Sequence, residues 1–226
     1  VLDYKCFGYM DLDSKTPLRE DAIFRMHSST KLITSVALMT LYEQGKFTLD
    51  DALADYIPAF VNPMVLISGA TAMDQTEQAQ SPITVRQVLS HSAGFSYGFV
   101  EPESMIDKAY IAGGLNILGA FDDDLETLVN KLAEFPLVFQ PGSSWRYSLA
   151  TDVAARLVEV LSGQQFDEYI KSVILKPLGM LDTDFYVKSG NLERLVTLAI
   201  PNDPFKPMSS GITQLGKSGK GPTTAP

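Results

Sequence analysis

Phe24-Arg25-Met26-His27-Ser28-Ser29-Thr30-Lys31 opens the stretch that decides how this chain is read. A lysine follows a serine by three residues, at the mouth of a segment that is otherwise almost entirely apolar. Leu32, Ile33, Val36, Ala37, Leu38, Met39 and Leu41 cover nearly the whole circumference of a helix expected over residues 28–44. Ser28, Ser29 and Thr30 can cap it, and Gly45 fits just past its end. A helix apolar all round belongs in the centre of a protein. Residues three apart share a helix face, so Lys31 can point its amine at the Ser28 hydroxyl. A serine hydroxyl is a poor nucleophile until a base takes its proton. An amine with a reference pKa of about 10.4 serves only where burial or another cation lowers that value. The positive end of the helix dipole favours an alkoxide at the first turn. The four residues alone favour a cap followed by a surface lysine; what raises the catalytic reading is a cationic side chain at the head of a buried helix, which needs a partner.

A tyrosine is the next partner to seek. Trp145-Arg146-Tyr147-Ser148-Leu149 lies between a Pro-Gly turn and an expected helix. Tyr147 can share proton transfer if a cation such as Lys31 favours its phenolate. By itself it reads first as a half-buried aromatic with a satisfied hydroxyl.

A second serine competes. Gly94-Phe95-Ser96-Tyr97-Gly98 matches the Gly-x-Ser-x-Gly nucleophile elbow, which needs a strand before it, a helix after it and a later histidine. The chain has two histidines, His27 and His91. Both precede Ser96, so the order Ser, acid, His cannot be made. The stretch reads as a Gly-rich loop, and Ser96→Ala is expected to leave ester turnover largely unchanged.

The 226 residues can bury a sizeable core, and 45% hydrophobic with 20% charged residues is an ordinary globular composition. A net charge of -9 argues against a nucleic-acid partner. One cysteine, Cys6, rules out an intrachain disulfide and a thiolate cluster. No apolar run reaches the roughly 20 residues a bilayer span needs. No signal peptide is visible, which leads to a soluble, cytoplasmic expectation, although the start at Val1 looks trimmed. Short strands are expected over 4–10, 183–187 and 195–200. Helices are expected over 85–90, 122–135, 150–161 and 166–175. Residues 61–81 carry no period, and 94–121 do not resolve. Residues 201–226 read as a linker-like or poorly ordered tail beyond a domain over 1–200.

Taken together, the stretches resemble the serine β-lactamase-related family, which includes class C β-lactamases, DD-peptidases and family VIII carboxylesterases. Besides the Ser28–Lys31 segment, the resemblance rests on Leu49-Asp50-Asp51 with Tyr56-Ile57-Pro58, on Val88 to Gly94, on Pro141-Gly142 through Ser148, and on Lys176 to Met180. It covers roughly residues 4–190. It implies an α/β serine β-lactamase-like fold, with an antiparallel sheet flanked by helices plus a helical region, here incomplete. It also implies catalytic roles. Ser28 would be acylated, Lys31 and Tyr147 would share the proton work, the Ser28 backbone N–H would supply half an oxyanion hole, and His91 would be structural.

Two departures matter. The family's second motif is often Tyr-x-Asn, and here it is Tyr147-Ser148-Leu149. Leu149 cannot hydrogen-bond a substrate amide, which favours a short or medium acyl ester. The third motif, Lys-Thr-Gly or a variant, has only Lys217-Ser218-Gly219 to offer, in surroundings that make a poor strand. The expected activity is a carboxylesterase acting through an acyl-enzyme on a small-molecule ester. A β-lactamase or DD-peptidase acting on a lactam or peptide is the alternative, and a non-catalytic binding protein of the same fold is the rival from another class. No cofactor or metal is called for. The oligomeric state is not legible.

Overall fold

The computed structural model describes residues 3–115, 123–201 and 212–215. The chain divides into two compact units, Val1–Ser28 with Met180–Pro226, and Ser29–Gly179.

In the first unit, β1 (Tyr9–Asp11) pairs antiparallel with β2 (Thr16–Pro17). The strand expected over 4–10 is thus shorter and begins later. The reversal is made by Asp11, whose carboxylate accepts the backbone N–H groups of Asp13 and Ser14 at 3.1 and 2.8 Å. Such an Asx turn lets a short polar side chain replace a backbone partner. Cys6, whose type is most often buried, is only half-buried here.

The second unit is mainly helical. α1 (Thr30–Glu43) carries no Gly or Pro and ends as expected ahead of Gly45, whose φ of 69° suits a residue without Cβ. Its entrance differs from expectation. A 3-10 turn (His27–Ser29) leads into it, and Ser29 at the cap makes no side-chain capping bond. The apolar circumference is not buried all round either. Thr34, Ala37, Leu38 and Leu41 form one buried face at i, i+3, i+4 and i+7, while Leu32 is 73% and Val36 51% exposed. Burying Leu38 and Leu41 contributes about 2 kcal/mol each.

A hairpin of β3 (Met64–Leu66) and β4 (Thr76–Gln78) occupies the stretch expected to be loop. Each strand has three residues, too few for an alternating pattern to register, and the edge of β3 is completed by the backbone of Leu137. α2 (Val85–Leu89) starts with a capping box in which Thr84 and Gln87 satisfy each other's backbone N–H groups. α3 (Met105–Ala112), not anticipated, is capped by Ser104. α4 (Leu125–Ala133) is capped by Asp124.

α5 (Ala150–Ser162) packs against α1, α2, α4 and α6 (Phe166–Ile170) and is the centre of this unit. It stops at Gly163 in the left-handed conformation, as its sequence implies. α6 widens into a π-helical turn over Lys171–Leu175. The Tyr169 hydroxyl, 2.8 Å from Thr40 Oγ1, ties α6 to α1.

Back in the first unit, residues 183–187 form no strand. The backbone of 194–197 runs between two partners: Val196 donates to Ile23 O at 2.9 Å and Thr197 donates to Met10 O at 2.9 Å. It continues into β5 (Leu198–Pro201), which pairs antiparallel with β6 (Ile212–Leu215). β6 lies inside the stretch read as a tail. Among the described residues no helix is long and apolar enough to cross a membrane.

Candidate active site

Lys31 is the second residue of α1. Ser28 stands three residues earlier, in the 3-10 turn that runs directly into the helix. The residue before it, His27, has φ of 43°, a left-handed backbone that a β-branched residue would resist.

Loops bring three aromatic side chains of the second unit together near Lys31. Its side-chain nitrogen lies 4.6 Å from the centroid of the Tyr147 ring and 5.7 Å from that of Tyr97. These distances are those of a cation over an aromatic face. The Tyr97 and Tyr147 rings stack, 5.2 Å apart and 18° from parallel. His91 stacks on Tyr147 at 5.2 Å. Lys31 and Tyr147, both expected at the site, are therefore neighbours. Tyr97 was not expected there, because the feature that stands out in its loop is the preceding serine.

Charge around the cluster is uneven. His91 sits with Nδ1 3.0 Å from Ser148 Oγ, and burial, helped by the positive charge of Lys31, holds its pKa below the usual imidazole value. Asp152, in the first turn of α5, is pushed up to about 6 by burial, against the pull of its own backbone N–H and of Lys31. The Tyr97 phenol is pushed well above its ordinary value by burial first, then by Asp152 and Tyr147. Asp152 lies in no motif that would have flagged it, and Tyr97 stands at a variable position of the motif around Ser96. A cavity of about 240 Å³ adjoins the cluster, lined by Lys31, Ser35, Val88, His91, Thr151 and Ala154 among others.

Ser96 is no nucleophile elbow. It is fully buried, no strand leads to it, and α3 begins only at Met105. Its hydroxyl donates to the buried Asp107 carboxylate and accepts from Arg146 Nε at 2.8 Å. Leu149 brings a correction. Its side chain has no exposed surface, and its backbone N–H donates to Ser96 O at 3.0 Å. It has no exposed atoms with which to meet a substrate, so it does not select an ester by direct contact. Lys217-Ser218-Gly219 lies outside the described residues. Among the described residues no group of three His, Cys, Asp or Glu side chains could hold a metal ion.

The Beta-lactamase family model matches residues 1–218. The chain belongs to the Beta-lactamase family. Curated relatives in it include Esterase EstB of Burkholderia gladioli, 32% identical over 186 residues, which are 82% of this chain and 44% of that protein. Lovastatin esterase of Penicillium rubens is 34% identical over 194 residues, 84% of this chain and 46% of its own. Among solved structures, EstCE1, described as a hydrolase with promiscuous acyltransferase activity, superposes with a TM-score of 0.74 at 28% identity, over 92% of this chain and 49% of that one. The fold is thus β-lactamase-like. The chain spans about half the length of the curated relatives it matches.

Proposed function

We propose that this chain carries the acylation machinery of a serine carboxylesterase acting on short or medium acyl esters. The observation that carries the reading is the Lys31 nitrogen 4.6 Å from the Tyr147 ring centroid, three residues along from a serine at a helix entrance. Ser28 Oγ attacks the ester carbonyl carbon while its proton passes to the Lys31–Tyr147 pair. The carbonyl oxygen takes the negative charge, against the Ser28 backbone N–H and the first turn of α1. The proton then goes to the leaving alkoxide as the carbon–oxygen bond breaks, which leaves an acyl-enzyme and a free alcohol. Water repeats the sequence, deprotonated by the same pair, and releases the carboxylic acid.

The esterase reading draws support from two relatives named as esterases. It no longer draws on Leu149 as a substrate contact. The promiscuous acyltransferase activity of EstCE1 favours a second outcome for the same intermediate, capture of the acyl group by an alcohol in place of water.

The test uses the full-length protein and a fluorophosphonate probe with mass spectrometry. A label on Ser28 is expected, lost in Ser28→Ala and strongly reduced in Lys31→Ala. Parallel turnover of p-nitrophenyl butyrate and nitrocefin separates esterase from β-lactamase. Absence of both label and turnover in the wild type would leave the non-catalytic binding protein as the correct reading.

A further inference from the structure

Adjoining the two stacked tyrosines in the chain is a buried polar cluster that no step of the proposed reaction uses. Asp107 and Ser96 are fully buried and the Arg146 side chain is 11% exposed. Ser96 Oγ donates to Asp107 Oδ1. Arg146 Nε donates to Ser96 Oγ at 2.8 Å, and its Nη2 lies 3.3 Å from the same Asp107 oxygen. Asp107 Oδ2 accepts the Glu101 backbone N–H at 2.8 Å, and the Tyr110 hydroxyl accepts the Ser96 N–H at 3.3 Å.

Two of the three members are the immediate chain neighbours of the stacked rings. Ser96 precedes Tyr97, and Arg146 precedes Tyr147. We propose that the Ser96–Asp107–Arg146 cluster is a positioning device that sets the spacing of the Tyr97 and Tyr147 rings beside Lys31. Its catalytic consequence rests on the esterase reading; the ring geometry does not. Two backbone bonds, Arg146 N–H to His91 O and Leu149 N–H to Ser96 O, both 3.0 Å, already join the two loops. The cluster is not needed to hold them together. A buried ion pair is moreover a poor source of stability compared with apolar packing. What it adds is direction, because charge-assisted bonds from a planar guanidinium tolerate little displacement. On this proposal Ser96 has a part in turnover, where the sequence alone leads to the expectation of none. It is a positioning residue, and Ser96→Ala carries a cost in turnover.

Ser96→Ala in the full-length protein removes the oxygen that bridges Arg146 and Asp107 and leaves the ion pair. Arg146→Lys keeps the charge and loses the Nε donor. Ring cross-peaks of 13C-labelled tyrosine, assigned with Tyr97→Phe and Tyr147→Phe, are expected to move for Tyr97 and Tyr147 in both variants while those of Tyr56 and Tyr169 stay. With p-nitrophenyl butyrate, kcat is expected to fall about 10²-fold, the scale on which small misplacements act. KM should stay within about twofold, because substrate binding is not what is lost. Unmoved ring peaks, or moved rings with unchanged kcat, overturn the proposal. If Ser96→Ala does not fold, Arg146→Lys decides by the same readouts. If the wild type neither turns over ester nor takes the probe at Ser28, the hydrolase reading fails, and the ring peaks alone decide: moved supports positioning, unmoved overturns it.

Discussion

The side-chain nitrogen of Lys31 stands 4.6 Å from the centroid of the Tyr147 ring, although one residue belongs to α1 and the other to the loop before α5. Ring face and hydroxyl can be tested apart. Tyr147→Phe keeps the face that the Lys31 nitrogen overlies and removes only the phenolic oxygen. It is expected to lower kcat on p-nitrophenyl butyrate by about 10²–10⁴-fold, the range of general acid–base catalysis, while the thermal midpoint barely moves. Turnover equal to wild type would remove Tyr147 from the proton path.

Asp152 makes stability depend on pH. Its carboxyl is pushed up to about 6, chiefly by burial, against an ordinary value near 4 in the unfolded chain. The fold therefore favours the protonated form. That contribution is fully present below about pH 4 and is lost as pH rises through about 6. Asp152→Asn mimics the protonated form at every pH. Its stability relative to wild type should rise between pH 4 and pH 7 by on the order of 1–3 kcal/mol, a tenfold change in proton affinity being about 1.4 kcal/mol. Urea unfolding at pH 4.5 and 7.5 measures the difference, and a gap that does not change between them counts against the burial of this carboxyl.

Leu149 occupies the position where family members often carry asparagine, yet it is fully buried. Leu149→Asn puts an amide in the place of an apolar side chain that has no exposed surface. A loss of about 2–4 kcal/mol in stability is expected, with no gain in nitrocefin hydrolysis. Efficient nitrocefin turnover by this variant would mean that the position does reach the substrate.

Gly94 leads into the loop that carries Ser96 and Tyr97. Its φ is 97°, and a Cβ placed on it would lie 2.6 Å from the backbone oxygen of Phe139. Backbone that cannot move and a conformation disfavoured for L-residues act together. Gly94→Ala is expected to cost at least about 2 kcal/mol in chemical denaturation. A variant as stable as wild type would show that the approach to Phe139 relaxes freely.

Legibility in the sequence followed the range of the signal. Thr84 ahead of α2, and Gly163 after α5, are local devices that act within one turn, and they stand where the residues announce them. The β3–β4 hairpin left no trace because three-residue strands are too short to show alternation. The exposed face of α1 shows the opposite failure. Its apolar residues run all round, but what packs on a helix is chosen by its neighbours, and among the described residues Leu32 and Val36 stay 73% and 51% exposed.

The order of residues was enough to determine the family, the serine three positions before a lysine at the entrance of α1, and the helices that end at Gly45 and Gly163. Only tertiary structure decided that Tyr97 joins Tyr147 near Lys31, that Leu149 is buried, and that Ser96, Asp107 and Arg146 meet. The physical reason is separation: Arg146 lies 50 residues from the Ser96 it bonds. Irregular loops close that distance with no periodicity to betray it, and burial around α5 selects which side chains meet.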